Sequence, residues 1–236
     1  MILRFTGNAS EVGTVGIENV ELDTADPMAA AIEVFTRQGY DATSVDDLAD
    51  AVELSRSTFF RRFGSKEDVV FADHELILGR VEAYLATSKL SPLDSVCAAG
   101  RMVFEHHVDR RDVSIARFAL LHDVPALRDR ELITSHRYER AFTQYLRSTL
   151  PNTTDREYVS VAFAAAAVAL HNAVLRQWLF DPHTDLAPLL RSQLRALTRA
   201  FGANRDEPEK ARVVVTVFDP GADRDDVLDA IRSSLD

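Results

Sequence analysis

The sequence predicts an all-α protein, and three observations lead to this prediction. Apolar residues mostly recur at intervals of three and four, which is the spacing of one helical face. Only nine glycines and eight prolines occur in 236 residues, and most of them fall where one predicted helix gives way to the next. Hydrophobic residues make up 46% of the chain and charged residues 27%, as in soluble globular proteins, which excludes disorder over most of the chain.

Nine helices follow from this spacing and from the residues at their ends. Pro27 suits the first turn of a helix. Ser44, Ser55 and Ser65 precede the second, third and fourth helices, where their hydroxyls can cap the helix, and Asp47 completes a variant of the capping box with Ser44. In chain order, the predicted helices span 27–38, 45–52, 56–62, 66–89, 93–108, 111–122, 126–149, 155–180 and 185–201.

Both ends of the chain fall outside this helical pattern. Residues 1–25 form an arm without a helical period. Residues 212–218 are rich in β-branched side chains and predict a strand, which a turn connects to a short helix over 225–235. A lone strand needs a partner, and residues 14–22 are the only other β-like stretch, so the alternative is a disordered tail.

Composition and charge exclude several classes of protein. The single cysteine, Cys97, excludes an internal disulfide framework and suits a reducing compartment. The sequence contains no run of about 18 apolar residues, so it predicts no transmembrane helix. The first residues also lack the apolar run of a signal peptide, and we therefore expect a cytoplasmic protein. The net charge of −10 argues against a protein coated in nucleic acid but allows a local basic patch.

Such a basic patch lies in the first part of the chain. The second and third helices are short and joined by a tight turn behind a supporting helix, which predicts a helix-turn-helix whose second helix enters a major groove. Residues 54–66 hold four basic residues and no acidic one, whereas the rest of 26–75 holds one basic and eleven acidic residues. The positive charge therefore lies on the element that would face phosphate, although an ordinary solvated helix with arginines is the alternative.

Residues 35–49, FTRQGYDATSVDDLA, and 55–67, SRSTFFRRFGSKE, resemble the tetracycline-repressor-like (TetR) family of bacterial transcriptional regulators. The resemblance implies an all-α homodimer in which an N-terminal domain binds an operator and a C-terminal domain binds a small molecule that releases the protein from DNA. The pair Phe59-Phe60 and the stretch 121–127, LHDVPAL, resemble an actinobacterial subgroup, of which some members answer to acyl-CoA or other bulky metabolites.

This resemblance divides the chain into four segments. They are an N-terminal arm at 1–25, a helix-turn-helix domain at 26–74, a helical ligand-binding and dimerisation domain at 75–202, and a tail at 203–236. The implied partners are double-stranded operator DNA, a second copy of the chain and a small apolar effector, with no membrane and no cofactor. We expect the effector to tilt the fourth helix and so to weaken DNA binding.

The DNA-binding residues are carried over from the resemblance, position by position. Thr43 and Ser44 begin the second helix, where hydroxyls and backbone N–H groups meet a phosphate. Arg56 is the best candidate for a base contact, because a guanidinium pairs with guanine through two hydrogen bonds. Lys66 is expected to reach a phosphate. The complete implied set is Thr43, Ser44, Arg56, Ser57, Thr58, Phe60, Arg61, Arg62 and Lys66.

Three departures from the family pattern predict weaker non-specific DNA binding. Glu53 occupies the turn position where the family favours glycine, and a positive φ there would strain a glutamate by roughly 1 kcal/mol. Phe60 replaces a tyrosine whose hydroxyl usually meets phosphate. The arm before the first helix lacks the family's usual basic residues.

The eighth predicted helix carries small residues at helical spacing, which permits another helix to approach closely. This approach is either within the subunit or between two copies of the chain. The resemblance favours the second alternative, because the family places the last two long helices of this domain in a four-helix dimer interface. The candidate interface residues are Ala162, Ala166, Ala169 and Ala173.

The middle helices hold many aromatic and few charged residues, so a cavity there would suit an apolar ligand anchored by one or two polar groups. Polar residues among apolar ones, such as His107, are the better indicators, although any one of these side chains can simply belong to the core. The candidate ligand-binding residues are Phe104, Phe118, His122, Tyr138, Phe142, His171 and Asn172.

Other functions are less well supported by the sequence. Neighbouring histidines such as His106 and His107 point about 100° apart on a helix, which disfavours a metal site. No Gly-rich phosphate loop and no nucleophile–base pair appears, so we expect no enzyme. The alternative function is a regulator that acts through protein contacts and has weak or lost DNA binding, because Glu53 and Phe60 depart from the family pattern.

Overall fold

The computed structural model describes residues 26–202, and the predicted all-α fold is confirmed there. These residues form nine α-helices, and the described range contains no β-strand. The arm 1–25 and the tail 203–236 lie outside the described residues, so the strand expected at 212–218 is not confirmed. The helices are α1 Pro27–Gln38, α2 Val45–Ala51, α3 Arg56–Phe63, α4 Ala72–Thr87, α5 Pro92–Asp109, α6 Arg111–Asp123, α7 Pro125–Thr149, α8 Arg156–Phe180 and α9 Ala187–Gly202.

The fourth helix is shorter than the sequence pattern predicts. Ser65 Oγ accepts a hydrogen bond of 3.1 Å from the Asp68 amide, but the segment that follows, Asp68–Phe71, is a 3₁₀ turn, and α4 begins at Ala72. The side chains of Val69, Val70 and Phe71 are all buried. A 3₁₀ turn places consecutive side chains about 120° apart, against about 100° in an α-helix, so the burial of all three means that this segment is packed on several sides.

The first three helices and the 3₁₀ turn form a head that shares its core with the rest of the protein. Phe35, Leu48 and Phe59 are buried at its centre, and the same cluster continues into Val113 and Leu121 of α6. Residues 26–198 belong to one compact unit, and α9 continues to Gly202. A change in packing around α6 therefore affects the core of the head.

The remaining helices form a bundle in which α8 packs against α5 and α7. The buried face of α4 repeats every four residues, at Asp73, Ile77, Val81 and Leu85, and packs against α5. One member of this face is an aspartate, and its partners define the candidate ligand site described below.

The turn between α2 and α3 has a left-handed backbone at Glu53, the position where the family favours glycine, although a glutamate there suggested that the turn would differ. Glu53 has φ 54°, and it is the non-glycine residue with positive φ among the described residues. The amide of Leu54 then donates a 2.8 Å hydrogen bond to the carbonyl of Ala49, which closes the turn. The protein therefore keeps the tight turn of a helix-turn-helix and tolerates the strain of a Cβ at this position.

We predict that Glu53→Gly raises the free energy of unfolding by ~0.5–1 kcal/mol. Relief of the left-handed strain, roughly 1–2 kcal/mol, exceeds the entropy that glycine adds to the unfolded chain, roughly 0.4–1 kcal/mol. Urea unfolding measures this change. Glu53→Ala is the matched control, because it removes the carboxylate but keeps the Cβ; an equal gain in both variants would refute the backbone explanation.

Candidate DNA-reading surface and ligand cavity

Helices α2 and α3 are held by side-chain caps that the sequence predicts. Ser44 and Asp47 form the reciprocal capping box at the start of α2. Ser55 Oγ accepts the Thr58 amide at 3.2 Å at the start of α3. Phe59 is the buried residue of α3 and Phe63 packs against the same core, so the opposite side of this short helix faces outward. The arrangement presents the N-terminal turn of α3 and one side of the helix to a partner.

Arg56 occupies the first turn of α3 and is held there by two neighbours. Its Nη1 donates to Asp46 Oδ2 at 2.7 Å, and its guanidinium carbon lies 5.5 Å from the centroid of the Phe60 ring. The Phe60 side chain is 41% exposed and forms a platform for the arginine. An exposed ion pair of this kind contributes about 0–1 kcal/mol, so Arg56 is positioned but readily exchanged to another acceptor.

The other residues predicted to contact DNA differ in their exposure and in whether they already form hydrogen bonds within the protein. Ser44, Ser57, Arg61 and Arg62 are exposed, and Thr58 is half-buried. Ser44 Oγ donates to Asp47 Oδ2 at 2.6 Å and so already has a partner.

Thr43 and Lys66 are more strongly engaged within the head. Thr43 is buried, its hydroxyl donates to the Gly39 carbonyl at 2.7 Å, and its amide donates to the Tyr40 carbonyl at 3.3 Å, so both of its donors are already used within the head. Lys66 Nζ donates to the Tyr40 carbonyl at 3.1 Å and lies 4.0 Å from the centre of the Tyr40 ring. A phosphate contact by Lys66 therefore has to share or replace the contact to Tyr40.

A cavity of about 60 Å³ lies inside the bundle and contains four of the seven predicted ligand-binding residues. Side chains from α4, α5, α6, α7 and α8 surround it, together with Phe71 of the 3₁₀ turn. The predicted residues that line it are Tyr138, Phe142, His171 and Asn172.

Three of the predicted ligand-binding residues do not line this cavity. Phe104 is buried behind its wall, with its ring edge-on to His171 at a centroid distance of 6.3 Å. Phe118 packs against Phe180, with the ring centroids 5.2 Å apart. His122 is exposed near the end of α6, where its carbonyl accepts a hydrogen bond from Arg128.

The structure adds polar residues to the cavity that the candidate set omits, and Arg117 is the central one. Its Nη1 lies 3.3 Å from Asp73 Oδ1 and 3.1 Å from His74 Nε2, and its Nη2 lies 3.0 Å from His107 Nδ1. Nη1 also lies 3.6 Å from the sulfur of Met28 in α1. Arg117 therefore joins the cavity to α4, α5 and the head.

The position of Arg117 on its helix is the signal that could have identified it. Val113 and Leu121 lie four residues before and after it and are buried, so Arg117 falls on the apolar face of α6. A charged residue on such a face has to find a buried partner.

The hydrogen bonds around Arg117 determine which nitrogens of the histidines carry protons. A guanidinium only donates, so His74 accepts at Nε2 and His107 accepts at Nδ1. His74 then has its hydrogen on Nδ1, which donates to Tyr138 Oη at 3.0 Å. The hydrogen of neutral His107 lies on Nε2.

His171 is oriented by the neighbouring amide. Asn172 Nδ2 donates to Ser135 Oγ at 3.1 Å, which places Asn172 Oδ1 where it accepts from His171 Nδ1 at 3.1 Å. The other nitrogen of the His171 ring, Nε2, is therefore an acceptor. It is buried and has no hydrogen-bond partner.

Burial and the Arg117 charge set the protonation of the cluster. Burial alone would raise the pKa of Asp73, but Arg117 and the hydrogen bond from His106 hold this pKa well below its usual range. Burial, reinforced by Arg117, lowers the pKa of His74 to about 3 and that of His107 well below 6.5. Burial also lowers the pKa of His171. Around neutral pH, Arg117 and Asp73 are therefore an ion pair, and the rings of His74, His107 and His171 are neutral.

We predict that the protein loses stability as the pH falls from about 6.5 to about 5, because the unfolded chain binds protons that the buried histidines cannot. Each such histidine contributes a slope of up to ~1.4 kcal/mol per pH unit. The low pKa of Asp73 adds a loss only at lower pH, so this interval isolates the histidines. His74→Gln is expected to reduce the slope by one such increment in urea unfolding.

The matched control for this prediction is His136→Gln, because the His136 side chain on α7 is 77% exposed. A slope that drops equally in both variants would show that the buried cluster is not responsible.

Comparison with known families links these two sites to a common architecture. Residues 28–72 match the model of bacterial regulatory proteins of the tetR family, and residues 90–202 match the MftR C-terminal domain. The first match contains α2 and α3. The second contains most of the side chains around the cavity.

Individual relatives agree with both matches. The chain is 29% identical to the HTH-type transcriptional regulator TcmR of Streptomyces glaucescens over 67% of this chain and 74% of that one. It is 26% identical to the putative mycofactocin biosynthesis transcriptional regulator MftR of Mycobacterium tuberculosis, over 68% and 81%. Both organisms are actinobacteria, in agreement with the predicted subgroup.

A solved structure shares the fold. The transcriptional regulator FadR from Bacillus subtilis, in complex with stearoyl-CoA, superposes with a TM-score of 0.51 at 17% identity. The superposition covers 74% of this chain and 97% of that one.

Proposed function

The chain belongs to the TetR family of bacterial transcriptional regulators, and from this premise we propose that it is a repressor that binds a palindromic operator as a homodimer and leaves it when a small, mostly apolar effector binds. Members of this family are helix-turn-helix regulators and not enzymes. The observation that carries the proposal is the exposed basic face of α3, which stands on an otherwise acidic protein.

The proposed DNA contact begins with Arg56. Its present partner, Asp46, is exposed, so exchange of the guanidinium from this carboxylate to a guanine edge gives up only a weak surface ion pair. Arg61 and Arg62 extend the positive charge along α3 toward phosphates. Ser44, which is exposed at the start of α2, supplies a further phosphate contact.

The proposed dimer uses α8 and α9. Within the described residues, α8 is a helix with the length and mean hydropathy, 1.7, of a membrane span, yet one side of it packs on α5 and α7 as a core helix does. Its outer side exposes Tyr158, Val161 and Phe180. Ala162, Ala169 and Ala173 are exposed beside them and Ala166 is half-buried. In a regulator of this family, a second copy of the chain is the occupant that covers such a face.

We predict that Ala169→Arg disrupts the dimer, because a long charged side chain keeps the two helices from close approach. A stable two-fold interface buries at least ~1,200 Å², and loss of this contact would produce a monomer in light scattering at micromolar concentration. Ala86→Arg, at an exposed position of α4, is the matched control. A monomeric wild-type protein would refute the proposed interface.

The route from the cavity to the head supports release by an effector. Arg117 lines the cavity and contacts Met28 in α1 and Asp73 in α4. Arg110 pairs with Asp26 and lies 3.7 Å from Asp73, and Asp26 Oδ1 caps α1 by accepting the Met28 amide at 3.0 Å. A ligand that moves Arg117 therefore changes the packing of α1, either directly through Met28 or through Asp73 and Arg110.

DNA binding is tested by gel shift with the region upstream of the protein's own gene. We predict that Arg56→Ala weakens binding by about 1–3 kcal/mol and relaxes specificity at one base position. Lys66→Ala is expected to weaken binding to all sequences alike and to reduce the dependence on salt. Arg140→Ala, which removes an exposed arginine from α7, is the matched control.

Two outcomes would contradict the proposed DNA contact. If Arg56→Ala and Lys66→Ala bind the DNA as the wild type does, α3 does not contact the operator. If the wild type binds no DNA, the regulator acts through protein contacts instead.

A further inference from the structure

The cavity contains hydrogen-bond groups that the protein does not use. Arg117 Nη2 carries two hydrogens and directs one to His107, which leaves the second. Tyr138 Oη accepts from His74, which leaves its own hydrogen to donate, and the Nε2 hydrogen of His107 is also left to donate. On the wall formed by α8, His171 Nε2 is a buried acceptor without a partner.

We propose that the effector is a small carboxylic acid with a short apolar body, which binds this cavity as a carboxylate while His171 takes up one proton. The proposal rests on the proposed function, because it specifies the chemical class of the molecule that releases the regulator from DNA. The bound state contains the carboxylate, the Arg117 guanidinium and a protonated His171.

A carboxylate matches this set of groups better than other ligands do. Its two oxygens offer about four acceptor sites, which suit the hydrogens of Arg117, Tyr138 and His107. The protonated His171 adds a further donor at Nε2. A primary amide presents an NH₂ group to these donors, an alcohol presents a single oxygen, and a cation is repelled by Arg117.

The volume and walls of the cavity limit the rest of the ligand. The cavity has a volume of about 60 Å³, whereas sites for drug-sized ligands measure ~300–1,000 Å³. Val103, Phe142, Val168 and Leu175 form apolar walls next to the polar groups. A short alkyl acid suits this space, whereas benzene alone occupies a cavity of about 150 Å³, so a single-ring acid or a long acyl chain exceeds it.

The binding reaction balances with one proton. In neutral solution the ligand is a carboxylate, and burial keeps His171 neutral in the empty protein. The complex adds one carboxylate and one proton, so affinity rises as the pH falls, by up to about tenfold per pH unit. The titratable and charged groups that face the cavity are His74 on α4, His107 on α5, Arg117 on α6, Glu131 and Tyr138 on α7, and His171 itself on α8.

The balance of charge in the cavity favours an anion. Arg117 and the acquired proton on His171 supply two positive charges near the ligand. Asp73 opposes the first of these from the far side of Arg117. Glu131 is half-exposed, so water screens its charge.

The contacts of Arg117 explain how binding of an acid in the cavity would affect the head. A ligand carboxylate competes with Asp73 for the guanidinium of Arg117, and Asp73 keeps His106 Nε2 at 3.1 Å and Arg110 at 3.7 Å as partners. Asp73 therefore is not left as an unpaired buried charge when Arg117 turns. The contact of Arg117 to Met28 changes with it, and α1 loses part of its support.

Calorimetry with defined probes tests this inference on the full chain. The probes are acetate, propionate and butyrate, each compared with its primary amide. We expect one or more of the acids to bind about tenfold or more tightly than the matched amide. Between about pH 8 and about pH 6 the affinity of the acid should rise, with uptake of close to one proton measured in buffers of different ionisation enthalpy.

Two variants separate the site from general effects on folding. His171→Gln removes the proton acceptor and should abolish both the pH dependence and the proton uptake, whereas the exposed His136→Gln should retain them. Tyr138→Phe removes one donor and should weaken the acid several-fold more than the amide, and Tyr145→Phe, also on α7, should not. Circular dichroism verifies that each variant is folded.

The inference is overturned if none of the three acids binds, if acid and amide bind alike, or if His171→Gln keeps the wild-type proton uptake. These outcomes are distinct from failure of the proposed function. A wild-type protein that binds its upstream DNA and is released by a neutral ligand, but not by the acids, keeps the proposed function and refutes the acid. A wild-type protein that binds no DNA refutes the proposed function, while calorimetry still decides the ligand class.

Discussion

The structure depends most on one constraint, which is that the charge of Arg117 is buried and has to be neutralised where it lies. Asp73 supplies the opposite charge, His74 accepts a hydrogen bond from Nη1 of the guanidinium, and His107 accepts one from Nη2. Removal of one member of a buried ion pair typically costs about 3–5 kcal/mol, because the other charge is left without a partner. The register of α4, α5 and α6 is therefore fixed at the level of this arginine, and α1 rests on it through Met28.

The same constraint gives the cavity its chemistry. Since the arginine can only donate, it fixes the proton positions on His74 and His107 and so passes a donor on to Tyr138. His171 lies across the cavity and is fixed by Asn172 in the opposite sense, with an acceptor facing in. A small void between donors on one side and an acceptor on the other suits the proposed ligand, which accepts several hydrogen bonds while His171 takes up one proton.

How much the sequence predicts follows from how far apart the interacting residues lie in the chain. The caps at Ser44 and Ser55 and the strained turn at Glu53 depend on residues within a few positions, and local patterns identify them. In α6 the apolar spacing places Arg117 with Leu121 on the inner face. Phe118 and His122, which were among the ligand candidates, are one residue further along and share another face, since a step of one residue turns about 100°.

The members of the Arg117 cluster could not be brought together by the same reasoning. Residues 28, 73, 74, 107 and 117 come from four different helices, and no local period relates them. Tyr138, Phe142, His171 and Asn172 could be selected because polar and aromatic residues among apolar ones point to a lined cavity. The local pattern did not predict the 3₁₀ turn at Asp68–Phe71, whose residues pack against α1 and α7, helices that lie far from it in the chain.

The charge distribution determines how strong the coupling between cavity and DNA has to be. A net charge of −10 repels phosphate over most of the surface, so attraction comes from α3 and its immediate neighbours. Glu53 adds a negative charge beside this helix, and Phe60 lacks a hydroxyl for a phosphate. The non-specific affinity of the protein for DNA is consequently expected to be low. For the proposed release from an operator, a coupling free energy of ~1–3 kcal/mol, which changes affinity about 5–150-fold, is then sufficient.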